Sequence, residues 1–166
     1  MDRTGDSAPA AVKHRTTVER TSEREMVVTR TFDAPARIVF EAWTKPELFK
    51  RWWVPKSIGV SLLSCELDVR TGGTYRLVFG TDASNQMEFF GRYVEVTPPT
   101  RIVWTNDEDE AGGPVTTVTF EEQAGQTLLV IHDLYSSKEA LDEGAGSMDA
   151  MPETLDQLDE LLAELV

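Results

Sequence analysis

From Ser57 to Asp133 the sequence runs as strand-like segments separated by turn residues, and one long amphipathic helix follows. A many-stranded sheet with a single long helix leaves few architectures open. The candidate strands span 58–69, 73–80, 86–96, 100–106, 115–122 and 126–134. Between them lie Thr71-Gly72-Gly73, Asp82-Ala83-Ser84-Asn85, Pro98-Pro99, Ala111-Gly112-Gly113-Pro114 and Ala124-Gly125, all of them turn formers. Connections this short join neighbouring strands, so the pattern predicts an antiparallel meander. After Gly144-Ala145-Gly146, the residues Met148, Met151, Leu155, Leu158, Leu162 and Leu165 recur every three or four positions and mark one apolar helical face. Pro152 suits only a first turn, which puts the helix start near Asp149. A sheet with one face to cover and a helix with one face to bury predict an α+β fold.

The N-terminal part supplies a further strand and two short helices. Met26–Phe32 reads as a strand, raising the sheet to about seven. Asp33 and Pro35 then suit a helix start, with Ile38, Val39, Ala42 and Trp43 at helical spacing. A second short helix after Pro46 carries Leu48, Phe49, Trp52 and Trp53. Three of the four tryptophans fall between 43 and 53. Such a cluster is buried or lines a pocket, because an indole has a large apolar face and one polar atom. Where the C-terminal helix stands off the sheet, a cavity is expected, walled by sheet side chains, the Met-rich helix start and Trp52-Trp53. Residues 1–23 lack any apolar period and read as a flexible tail, leaving 24–166 as a single domain.

Charge and cysteine usage narrow the partners. Sixteen Lys and Arg against twenty-nine Asp and Glu give a formal charge of −13. Residues 1–25 are balanced, so the whole excess lies in the domain, and an acidic body repels nucleic acid. No apolar run reaches the roughly 20 residues of a membrane span, and the N-terminus has no signal-type apolar stretch. Cys65 stands alone, which fits a reducing compartment and a cytoplasmic location. Two histidines and one cysteine, widely spaced, form no ligand set, so neither a metal nor a cofactor is expected.

The candidate ligand-binding residues are Trp52, Trp53, Phe79, Glu88, Phe90, Arg92, Trp104, Phe120, Asp133, Met148 and Met151. Trp52 leads Trp53 as a pocket wall. Met148 and Met151 are adaptable apolar contacts. In strand 86–96, taking Val94 and Val96 as inward turns Glu88, Phe90 and Arg92 inward too, as partners for a ligand's polar end. The competing reading is a bulge that resets the alternation and leaves both charges in solvent. Phe79, Trp104 and Phe120 serve either as core or as pocket wall. His132 and Asp133 are strand neighbours and face opposite ways, so they form no dyad. No group stands out as catalytic. Asp107-Glu108-Asp109-Glu110 reads as a solvated acidic loop, and Asp68 and Arg70 as a charge pair at the Gly72-Gly73 turn.

Several short motifs resemble the START-related, birch-pollen-allergen-like superfamily. Within it they are similar to bacterial proteins related to the C-terminal domain of the activator of the ninety-kilodalton heat-shock-protein ATPase. They are Arg30-Thr31-Phe32-Asp33-Ala34-Pro35, Val39-Phe40-x-Ala42-Trp43-Thr44-x-Pro46, Trp52-Trp53-x-Pro55, Asp68-x-Arg70-x-Gly72-Gly73, Gly91-x-Tyr93-x-Glu95-Val96-x-Pro98-Pro99-x-Arg101-Ile102-Val103 and Leu155-x-x-Leu158. The resemblance covers 26–165 and implies a helix-grip fold, with the curved sheet wrapped on the C-terminal helix around a hydrophobic or amphipathic ligand. It also implies two alternatives, a polyketide-cyclase- or hydrolase-like enzyme and a co-chaperone of a heat-shock ATPase. Ala150-Met151 stands where the family often has Gly-Trp, and Asp133 aligns where it often has histidine. An unpaired strand edge would let two chains pair as a homodimer.

Overall fold

The computed structural model describes residues 14–82, 84–107 and 113–165. Among the described residues, eight strands form one antiparallel sheet: β1 (Thr17–Arg20), β2 (Glu25–Phe32), β3 (Ser61–Leu67), β4 (Thr74–Asp82), β5 (Asn85–Thr97), β6 (Arg101–Trp104), β7 (Val115–Gln123) and β8 (Gln126–Leu134). Their spatial order is β1-β2-β8-β7-β6-β5-β4-β3. Strands β3 to β8 are the expected meander, and β2 joins its far edge against β8. The eighth strand corrects the tail expectation, since Thr17–Arg20 pairs with β2 inside the segment read as flexible. Residues 1–13 of that segment lie outside the described residues, as do 108–112 of the acidic loop.

The helices are α1 (Ala36–Thr44), α2 (Pro46–Phe49), α3 (Lys138–Gly144) and α4 (Met151–Leu165), with a 3-10 stretch at Ala145–Ala150 leading into α4. The regular helix thus begins two residues beyond the expected start at Asp149. Helix α3 was not anticipated from the sequence; Ser137 Oγ caps it by accepting from the Ala140 N–H. Asp33 does not cap α1. Its carboxylate accepts from Gln126 Nε2 at 2.6 Å instead, and the Ala36 N–H donates to Glu122 Oε1 at 2.8 Å. Among the described residues, no helix is long and apolar enough to cross a membrane.

Alternation along β2 sends Met26, Val28, Arg30 and Phe32 to the inner face, where they meet α4. Arg30 is the unusual member, a buried guanidinium. Its Nη1 donates to Asp156 Oδ1 at 2.7 Å and to Thr16 Oγ1 at 2.9 Å, and Nη2 lies 3.4 Å from Asp159 Oδ2. The guanidinium also sits 5.4 Å from the centre of the Phe32 ring. Asp156 and Asp159 are three apart on one face of α4, so a single inward cation fixes the helix on the sheet. Leu155, Leu158, Leu161 and Leu162 complete the contact, each at most 3% exposed.

Strand β5 is thirteen residues long and serves two neighbours. Asn85–Arg92 pairs with β4, and Tyr93–Thr97 pairs with β6. A bulge between Tyr93 and Glu95 shifts the register where the second ladder begins. Phe89, Gly91 and Tyr93 face inward before it and Val96 after it, while Val94 is half exposed.

Candidate functional site

The aromatic residues of the α1–α2 segment fold over the β4–β5–β6 part of the sheet and leave a cleft between the two layers. Trp43, Phe49 and Trp53 form its helical wall. Its sheet wall is Leu67, Tyr75, Leu77, Phe89, Tyr93, Ile102, Trp104 and Asn106. The cleft holds about 60 Å³, room for a few water molecules, and is open to solvent on one side. No residue of α4 lines it. This cleft lies under α1 and α2, away from the C-terminal helix.

Of the two candidates Trp52 and Trp53, it is the second that lines the cleft. Trp52 is fully buried, donates from Nε1 to the Ala42 carbonyl at 2.9 Å, and packs edge-on to Trp43 at 4.8 Å. Trp53 is half-buried, stacks on Phe49 at 4.9 Å and faces the cleft. The loop carrying both is clamped from behind by α4. Buried Gln157 donates to the carbonyls of Trp52 and Val54 at 3.0 and 2.9 Å and accepts from the Lys56 N–H at 2.9 Å. Glu153 adds contacts to the Ser57 N–H and hydroxyl. Helix α4 thus shapes the site by holding the loop that lines it.

Of the other candidates, Trp104 lines the cleft. Phe79 lies beside it, in edge contact with the lining Phe89 at 5.0 Å. Phe120 is core, packed on Phe40 at 5.3 Å. Met148 is buried in the core and Met151 half-buried against it, and neither reaches the cleft. Glu88, Phe90 and Arg92 point the other way, because the bulge makes Val94 and Val96 a false guide to the strand's facing. Glu88 pairs with Arg76 on the outer face, Arg92 lies 3.6 Å from Asp107, and Phe90 is 40% exposed.

Asp133 is buried in β8 behind the cleft. Burial pushes its carboxyl up to about 6, with the bond from Thr116 Oγ1 at 2.5 Å acting against the rise. His132, on the opposite face, meets Glu25 at 2.7 Å and holds that carboxyl below its usual range. Desolvation pushes Cys65 up to about 11, so it stays a thiol, and raises the Tyr93 phenol so that it keeps its proton. The described residues contain no group of three or more His, Cys, Asp and Glu side chains able to hold a metal.

The candidate set drawn from the sequence lacks Phe49, Leu67, Tyr75, Leu77, Phe89, Tyr93, Ile102 and Asn106, and Trp43 entered only as part of a tryptophan cluster that is buried or lines a pocket. Gly91 carried the available signal. A Cβ there would sit 2.8 Å from Tyr75 Cε2 and 2.0 Å from the Thr105 carbonyl oxygen, so only glycine lets the Tyr75 ring lie across β5.

The fold recurs widely. A Rhodobacter sphaeroides protein of known structure is 24% identical, with a TM-score of 0.81 over 91% of this chain and 99% of that one. A Chromobacterium violaceum protein is 28% identical, with a TM-score of 0.67 over 82% and 96%. An AHSA1-like protein from Aeromonas hydrophila is 21% identical, with a TM-score of 0.65 over 84% and 94%. No curated protein matches the chain. The model of one family spans residues 33–163, from the end of β2 to the last turn of α4, and by that match the chain belongs to the family of Activator of Hsp90 ATPase homolog 1-like proteins.

Proposed function

We propose that the protein is a cytoplasmic binding protein that sequesters a small hydrophobic or amphipathic ring compound in the cleft beneath α1 and α2. The observation that supports this reading is the lining itself. Five of its eleven residues are Trp or Phe on opposed walls, and the polar atoms among the lining side chains are the indole N–H groups, the hydroxyls of Tyr75 and Tyr93 and the amide of Asn106. A site of this kind binds by removing apolar surface from water. At roughly 25 cal/mol per Å², an occupant burying about 300 Å² gains some 7 kcal/mol before ordering costs. The cleft's 60 Å³ is smaller than such an occupant, so binding requires the half-buried rings of Trp53, Phe89 and Trp104 to move apart.

The test is native mass spectrometry of the purified full chain, followed by titration with naphthalene. A stoichiometric co-purifying apolar molecule, or saturable naphthalene binding that shifts the indole resonances of Trp53 and Trp104, is the expected result. A bare protein mass together with indole resonances that never move would overturn the reading.

A further inference from the structure

Four inward side chains form a hydrogen-bonded chain that starts in the cleft wall and ends inside the sheet. Tyr75 Oη donates to the Thr105 carbonyl at 2.8 Å and, over a longer distance, to Asn106 Oδ1 at 3.3 Å. Asn106 Nδ2 donates to the Pro114 carbonyl at 2.6 Å and to Thr116 Oγ1 at 3.1 Å. Thr116 Oγ1 donates in turn to Asp133 Oδ1 at 2.5 Å.

The donor and acceptor count of each group fixes the direction of the chain. A hydroxyl has one proton, and that of Thr116 is committed to Asp133. Towards Asn106, Thr116 can therefore only accept. Both amide protons of Asn106 are then committed, one to Thr116 and one to Pro114. Oδ1 accepts the long bond from Tyr75 and keeps a second lone pair, which is what the Asn106 side chain can offer to an occupant of the cleft. Asp133 titrates near 6 and is mostly a carboxylate at neutral pH, which keeps it an acceptor at the chain's buried end. The remaining walls of the cleft are predominantly aromatic and aliphatic, so the Asn106 oxygen is a directional feature in an otherwise permissive site.

We propose that the occupant is a ring compound carrying a hydroxyl or amine N–H, which donates to Asn106 Oδ1, and that Thr116 and Asp133 are positioning residues holding the amide in its accepting orientation. This inference rests on the container reading above. An occupant whose polar group can only accept, such as an ether, faces an oxygen lone pair and forgoes the hydrogen bond that a donor would make there, which disfavours it by roughly tenfold.

The experiment compares naphthalene, 2-naphthol and 2-methoxynaphthalene on the full chain, following the indole resonances of Trp43, Trp53 and Trp104. The unsubstituted protein is expected to bind 2-naphthol about tenfold more tightly than its methyl ether. Thr116→Val removes the acceptor that orients the amide, and it should cut that ratio severalfold while naphthalene affinity holds. Asn106→Leu should bring the ratio near one. The isosteric Thr116→Val keeps the test open should Asn106→Leu fail to fold. Equal affinities for the naphthol and the ether, with naphthalene bound, would overturn the inference and leave the container reading standing. A ratio unchanged in both variants would overturn it too, by showing that the preference is steric. Failure of all three compounds to bind a protein of bare mass would overturn both readings.

Discussion

At the scale of single residues, adjacent and chemically identical side chains do different work here. Trp52 fills the core and Trp53 walls the cleft. Trp52→Ala should therefore lower unfolding free energy by about 3–5 kcal/mol in urea titrations. Trp53→Ala should lower it by about 1 kcal/mol while changing the affinity for aromatic probes. Asp133 makes a second residue-scale prediction. Its folded carboxyl titrates near 6, against a reference value of 3.8. Between those values the folded state holds more protons than the unfolded chain, so this group's stabilising contribution falls as pH rises. Its deficit above pH 6 is on the order of 3 kcal/mol. Asp133→Asn should remove that fall, so the variant gains on the parent protein from pH 4 to pH 7 in paired urea titrations. Sequence could place Asp133 in a strand and face it away from His132. It could not show that Thr116, on β7, and Asn106, two residues past β6, continue the line from Asp133 to the cleft.

At the scale of elements, periodicity was a good guide to what forms and a poor one to what each element touches. The meander, β2 and α4 are legible because alternation and 3.6-residue recurrence are properties of the chain itself. The short α3 escaped notice because seven residues beside Gly144-Ala145-Gly146 carry little periodic signal. The site of the cleft escaped for a different reason. An apolar helical face announces burial, and α4 is buried, yet its effect on the site passes through the polar Gln157. Gln157→Leu strips partners from the Trp52 and Val54 carbonyls and the Lys56 N–H. The expected cost is about 2–3 kcal/mol in thermal or urea unfolding. Naphthalene affinity should weaken as well, although residue 157 is not part of the cleft lining.

At the scale of the whole molecule, one continuous sheet curves around a core shared by all its helices. Arg30 pins α4 to β2 at one end, and the α1–α2 segment roofs β4 to β6 at the other. The family motifs mark these supports: Arg30-Thr31-Phe32, Trp52-Trp53 and Gly91-x-Tyr93 each sit where one layer meets the next. The motifs were legible, whereas the direction of each side chain in β5 was not, because a bulge has no unambiguous mark in this sequence. That bulge also gives β5 an unequal tolerance of lost residues. Val94 is the supernumerary residue, so the strand holds one letter more than its inward and outward alternation needs. Deleting Val94 restores strict alternation from Phe89 to Val96 and should leave a folded protein with a straighter strand and a reshaped cleft. Deleting Arg92, two positions earlier, forces either Tyr93 or the Phe89–Gly91 pair to the wrong face and should abolish cooperative unfolding, which circular dichroism melts of the two deletions would separate. The strand behaves like a text with a reading frame, and its single spare character stands at the corner of the cleft.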